Sequence, residues 1–348
     1  MSSDPILAQI PLGAPPWPTL DPFLFCVHHD DAYPRGNATM GPDAPLTGRR
    51  IGMDFEGIDG WRMYHGDVIP GFPRHPHRGF ETVTIGRAGY VDHSDSLGAT
   101  ARLGRGDVQW MTAGRGIVHA EMFPLVKRDA PNPTGLFQLW LNLPAENKMV
   151  EPHFSMLWRH TIPTLRLVDE QQRVTIVRVF AGRFDDAVAP APPPHSWASQ
   201  PGADVAIWTV RAQAGARFEL PPGTAEAQRV LYLVGGSSIS IVGVTVPPNH
   251  AVQLRADARV EIMVGDADTE LLVLQGRPIG EPVAQHGPFV MNTGEEIQQA
   301  MSDYRRTQFG GWPWSGDGPV HSADEGRFAI HADGRIERAP GDDESDGA

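Results

Sequence analysis

The chain has 348 residues, 41% of them hydrophobic, with 38 glycines, 33 prolines, one cysteine and a net charge of −13. That length exceeds one ordinary core, so about two domains are expected, and the glycine and proline content favours short strands and turns over long helices. An acidic chain without a basic run disfavours direct binding to nucleic acid or an anionic membrane, no apolar stretch is long enough for a spanning helix, and the lone Cys26 excludes an internal disulfide.

The opening residues MSSDPILAQIPLG lack the basic and apolar regions of a secretory signal, so a soluble, cytoplasmic protein is expected. The first apolar run is Phe23 to Val27, which reads as a buried strand with Cys26 as an inert core thiol. Short alternating or apolar runs follow, separated by glycine: 81–85, 90–93, 101–103, 107–111 and 135–143. This spacing predicts an antiparallel sandwich or barrel. A proline-rich run at 190–194 reads as an exposed loop. A second all-β stretch begins near 172, with strands predicted at 175–180, 206–210, 229–234, 238–242 and 270–274 and a Gly235-Gly236 hairpin signal.

Near the end, Thr293 and Glu296 have capping-box spacing, and Ile297, Ala300, Met301 and Tyr304 form one apolar stripe, predicting a helix over 293–308. From Trp314 onward nine acidic residues stand against three arginines, so 311–348 reads as a solvated, disordered acidic tail. The fold class is therefore all-β, with domains placed at 1–150 and 165–310.

The chemistry concentrates in His75-Pro76-His77 and His119-Ala120-Glu121. On a strand, residues i and i+2 point to one face, so two such pairs on neighbouring strands deliver three imidazoles and a carboxylate to one point. The glycine-rich turn 112–116 is placed to bring the second strand back beside the first. Nitrogen and oxygen donors without a thiolate suit Fe(II), Mn, Ni, Cu or Zn, with positions left open for water, O2 or a chelating substrate. Glu81 shares strand parity with His75 and His77 and rivals Glu121 as the carboxylate. His93, in a turn-like Asp-His-Ser-Asp stretch, and His65 are weaker ligand candidates. His28-His29, His160, His195, His250, His286, His321 and His331 read as surface or hydrogen-bonded imidazoles.

HPHRGFETVT (75–84), GDVQWMTAGRGIVHAEM (106–122), FQLWLNLPAENKMVEP (137–152) and GPFVMNTGEEIQQAMSDYRRTQFG (287–310) closely resemble the pirin family of the cupin superfamily. The resemblance is weaker over 172–283 and absent after about 311. It implies a bicupin, two β-barrels face to face, with one metal ion in the N-terminal barrel. The family's ligands map onto His75, His77, His119 and Glu121, which favours Glu121 over Glu81, and the family's metal is usually iron. Thr112-Ala113-Gly114 stands where the wider cupin superfamily has Pro-x-Gly, and the 311–348 extension is unlike the family's compact end. The resemblance implies a quercetin 2,3-dioxygenase-like activity on a small phenolic substrate, with Fe(II) or else Ni, Mn or Cu, and Glu121 as the base. It also implies an alternative, a redox-responsive iron-binding regulatory protein acting through protein partners, because eukaryotic members act as nuclear transcription co-regulators.

Overall fold

In the computed structural model, residues 4–341 are described. Their regular elements are β-strands apart from short 3-10 turns and one α-helix, Gly294–Thr307. No helix is long and apolar enough to cross a membrane. The chain divides into two compact units that are not contiguous in sequence. One comprises the residues up to Val27, Leu139–Pro144 and Thr161–Glu281; the other comprises His28–Gln138, Ala145–His160 and the chain from Pro282 onward. The strand Ile6–Pro11 joins a seven-stranded sheet by pairing with His250–Arg255, which places the start of the chain with the later domain.

That unit has a seven-stranded and a four-stranded sheet. Its core follows the two-residue period of strands facing inward on one side. Val177 and Val179, Trp208 and Val210, Leu231 and Leu233, and Leu271 and Val273 are all buried against Ile239, Ile241, Val260 and Ile262 of the smaller sheet.

The other unit carries the histidine pairs. One sheet has the order His153–Leu157, Val108–Thr112, Phe80–Ala88, Asn132–Asn142, Phe23–Tyr33. The other runs Ile336–Arg338, Phe328–Ile330, Thr100–Gly104, Tyr90–Asp95, Ile117–Met122, Gly71–His77. Cys26 is fully buried, and burial pushes its thiol far above the ordinary range, which leaves it inert.

The predicted helix forms with its capping box: Thr293 accepts from the Glu296 N–H while the Glu296 side chain accepts from the Thr293 N–H. Its stripe packs Ile297 and Ala300 against Phe289 and Met291. Arg78, immediately after His77, ties the helix down through Asp303 at 2.9 Å.

The expected disordered tail is corrected over 311–341; the final stretch, 342–348, lies outside the described residues. Phe328–Ile330 adds to the edge of the sheet by pairing with Thr100–Gly104, and Ile336–Arg338 pairs with it in turn. The charges are not all solvated. Arg327 reaches the buried Asp107 at 2.7 Å, and Arg102 donates to the carbonyls of Ser322 and Glu325. Two short strands in a Gly- and Asp-rich context are too brief to show a period, which is why composition misread them.

Candidate metal centre

The turn 112–116 returns the strand Ile117–Met122 beside Gly71–His77, and His75 stands directly opposite His119 in the antiparallel register. A β-bulge between Phe72 and His75 follows, so that Phe72 opposes Glu121. Ligand atoms of His75, His77 and His119 all lie within 4.8 Å of one another. The ring centroids are 4.4 Å apart for His75 and His119, 4.9 Å for His77 and His119, and 4.8 Å for His75 and His77.

The hydrogen bonds around these rings orient them. His75 Nδ1 lies 2.9 Å from the Pro73 carbonyl and His77 Nδ1 lies 3.4 Å from the Pro288 carbonyl. A carbonyl only accepts, so each Nδ1 carries the proton and each Nε2 presents a lone pair. His119 is fully buried, yet among the described residues neither of its ring nitrogens has a hydrogen-bond partner. A buried imidazole with both nitrogens unsatisfied costs about 1–3 kcal/mol, unless something else takes a nitrogen. With donor atoms of His75 and His77 within 4.8 Å of that nitrogen, the three imidazoles could hold a metal ion, and the residues present fit one.

Burial lowers His75 to about 4 and holds His77 and His119 well below the ordinary imidazole range, which keeps all three neutral and available as donors. The same burial holds His28 and His29 at about 3. Unfolded histidines titrate near 6.5, so between that pH and about 4 the unfolded chain binds more protons than the folded one. Stability of the metal-free protein therefore rises with pH across this window, by about 1.4 kcal/mol per pH unit for each buried imidazole. Burial also raises the Glu121, Asp31 and Asp107 carboxyls, which works the other way above the ordinary carboxylate range, three groups against the five imidazoles. Urea midpoints measured from pH 7 to 4.5 should fall steadily; a flat profile would refute the neutral, buried assignment.

Glu121 is not part of the 4.8 Å cluster. Its Oε1 accepts from Thr84 Oγ1 at 2.7 Å, and the same hydroxyl is 2.8 Å from Gln138 Oε1. Glu81 does not share a strand with the histidines, which corrects the parity argument for it. The strand Gly71–His77 ends there, the chain turns at Gly79 with φ +84°, and a Cβ at Gly79 would sit 1.9 Å from the Val290 carbonyl. Glu81 begins the opposite sheet, where Thr112 donates to it at 2.6 Å. His65 is exposed and bonds the Gly52 carbonyl.

His93 was undervalued by sequence. The polar run 92–95 is a strand, not a turn, and His93 pairs in register with Glu121. It is fully buried, its ring is 5.5 Å from His119, and its Nε2 faces Asp95 at 3.2 Å. The signal available in sequence was the two-residue spacing of His93 and Asp95 itself.

Three imidazoles gathered between two antiparallel sheets, in a chain with a second all-β unit, define a protein of the cupin type with one candidate metal centre among the described residues. The pirin family model matches residues 12–141, and that of the pirin C-terminal cupin domain matches 207–310. The chain belongs to the pirin family.

It is 38% identical over 242 residues to a Pseudomonas aeruginosa protein named "Putative quercetin 2,3-dioxygenase", spanning 69% of this chain and 80% of that one. It is 35% identical over 252 residues to human pirin, spanning 69% and 78%. The crystal structure of a quercetin 2,3-dioxygenase from Acinetobacter baumannii is similar at a TM-score of 0.67 and 26% identity, covering 88% of this chain and 98% of that one.

Proposed function

We propose that this protein is a metal-dependent dioxygenase of the quercetin 2,3-dioxygenase type, with Fe(II) held by His75, His77, His119 and Glu121. The observation that carries this reading is the fully buried His119 with neither nitrogen satisfied among the described residues, and with donor atoms of two other imidazoles within 4.8 Å. The quercetin 2,3-dioxygenase names of the Pseudomonas and Acinetobacter relatives support the substrate class, a flavonol-like phenol.

When bound, such an ion supplies Lewis acidity and a template on which a chelating substrate and O2 meet. The protein supplies the rest. The Pro73 and Pro288 carbonyls fix the tautomers of His75 and His77. Glu121 would be a ligand that can also detach and take the proton of the substrate's acidic hydroxyl, and burial suits it to this by raising its carboxyl. Thr84 has one proton to share between Glu121 and Gln138. Once Glu121 is protonated it donates to Thr84, whose own proton turns to Gln138, so the proton is held within a closed hydrogen-bond chain.

Anaerobic reconstitution with Fe(II), followed by O2 and quercetin, should bleach the flavonol absorbance and release CO. Stoichiometric binding of Fe, Ni, Mn and Cu without turnover by any of them would refute the enzymatic reading.

A further inference from the structure

One motif is unused by the centre described above: His28-His29, on the strand Phe23–Tyr33. His29 Nδ1 lies 2.7 Å from the Tyr64 hydroxyl, and that hydroxyl donates to Asp31 Oδ2 at 2.6 Å. The other Asp31 oxygen accepts from Arg62 at 3.0 Å. Asp31 and Tyr64 are 1% and 2% exposed.

The proton order in this chain is determined. The Asp31 carboxylate, paired to a guanidinium, accepts only, so it commits the single tyrosine proton. The phenol oxygen must then accept from His29 Nδ1–H. Burial keeps the ring neutral, and a neutral ring protonated at Nδ1 leaves a lone pair at Nε2. Among the described residues no group takes that nitrogen, and the ring is only partly buried.

The relay is costly. Tyr64 sits at φ +56°, a region a bulky side chain rarely adopts, and a charge is buried behind it. Its position also connects it to the candidate centre. The His29 ring packs on Phe72 at 5.7 Å and Phe123 at 6.3 Å, and Phe72 in turn packs on His75 at 6.4 Å. Phe72 is the register partner of Glu121, and Phe123 lies two residues beyond it. One phenyl ring thus separates the His29 imidazole from a candidate metal ligand.

We propose that His29, held by Tyr64 and Asp31, is a specificity-determining residue: its Nε2 accepts a hydrogen bond from a phenolic hydroxyl on the part of the substrate remote from the metal. This rests on the dioxygenase reading for the identity of the ligand. A hydrogen-bond acceptor left unpaired in a desolvated site discriminates strongly against an analogue lacking the hydroxyl.

The test compares quercetin with 3-hydroxyflavone, which keeps the chelating hydroxyl and carbonyl but lacks every other hydroxyl. Calorimetric Kd and steady-state KM would be measured on wild type, His29→Phe and Tyr64→Phe, with metal content and melting temperature as controls. His29→Phe keeps the ring packing and should weaken quercetin about tenfold or more, leaving 3-hydroxyflavone within about twofold and metal content unchanged. Tyr64→Phe, which frees the tautomer, should shift the same preference by less.

Equal losses for both flavonols, or none for quercetin, would overturn the assignment while leaving the dioxygenase reading intact. If wild type turns over neither flavonol, that reading fails, and the calorimetric difference between the two ligands still decides the role of His29. Absence of any flavonol binding by wild type overturns both.

Discussion

Replacing His119 by leucine will abolish metal binding and stabilise the metal-free protein. The first half follows from the donor set. His119 supplies one of three nitrogens within 4.8 Å of each other, and loss of a direct ligand should weaken metal affinity by roughly 100-fold or more. The second half follows from burial. His119 is 0% exposed and neither nitrogen is partnered, so in the metal-free state the ring is a desolvated polar group that returns nothing. Leucine is close in volume and has no polar atom to desolvate, so it should raise metal-free stability by about 1–3 kcal/mol. The loaded wild type gains by mass action with its ion, and the variant does not. Urea denaturation with and without added Fe(II), alongside metal analysis, reads both effects. A less stable metal-free variant would mean that His119 has a structural partner and that the centre is not built for a cation.

Arg102→Ala will cost about 3–5 kcal/mol and release the 311–341 segment to proteases. Arg102 is completely buried, and all five of its N–H groups are used. Two reach Asp92, at 2.7 and 2.8 Å, and three reach the carbonyls of His321, Ser322 and Glu325. Removing it leaves the Asp92 carboxylate at 0% exposure with the His321 N–H as its remaining bond among the described residues. It also leaves three carbonyls of the added segment without their donor. The segment further contacts the centre's surroundings, since the Trp314 indole donates to the carbonyl of Asp95, the residue that faces His93. Chemical denaturation and limited proteolysis check the two parts separately. A variant as stable as wild type would show that the segment is merely laid against the barrel.

Much of the candidate site is legible in the chain because it depends on local periodicity. His75 and His77, two apart on a strand, share a face whatever the fold does next, and the His119 to Glu121 pair does the same. The capping box at Thr293 and Glu296 is equally local, closing within one helical turn. The inert burial of Cys26 was readable from its apolar neighbours for the same reason. Each of these signals uses residues within a few positions of one another, where backbone geometry alone relates the side chains.

What lay beyond reach depended on partners far apart in sequence. Parity cannot separate Glu81 from Glu121, because it carries through residue 81 only if the strand does, and a left-handed Gly79 pressed on the Val290 carbonyl ends it. The burial of His93 comes from pairing opposite Glu121 and from Phe154, stacked 5.0 Å away. The strands at 328–338 and the Asp31–Tyr64–His29 relay are likewise products of long-range contact. The sequence by itself determined that two ligand pairs, a helix cap and an all-β pattern exist. Only the tertiary structure decided which pairs meet, which charges are buried and which imidazoles are left with a free nitrogen, because register and burial are set by chain segments that no local period relates.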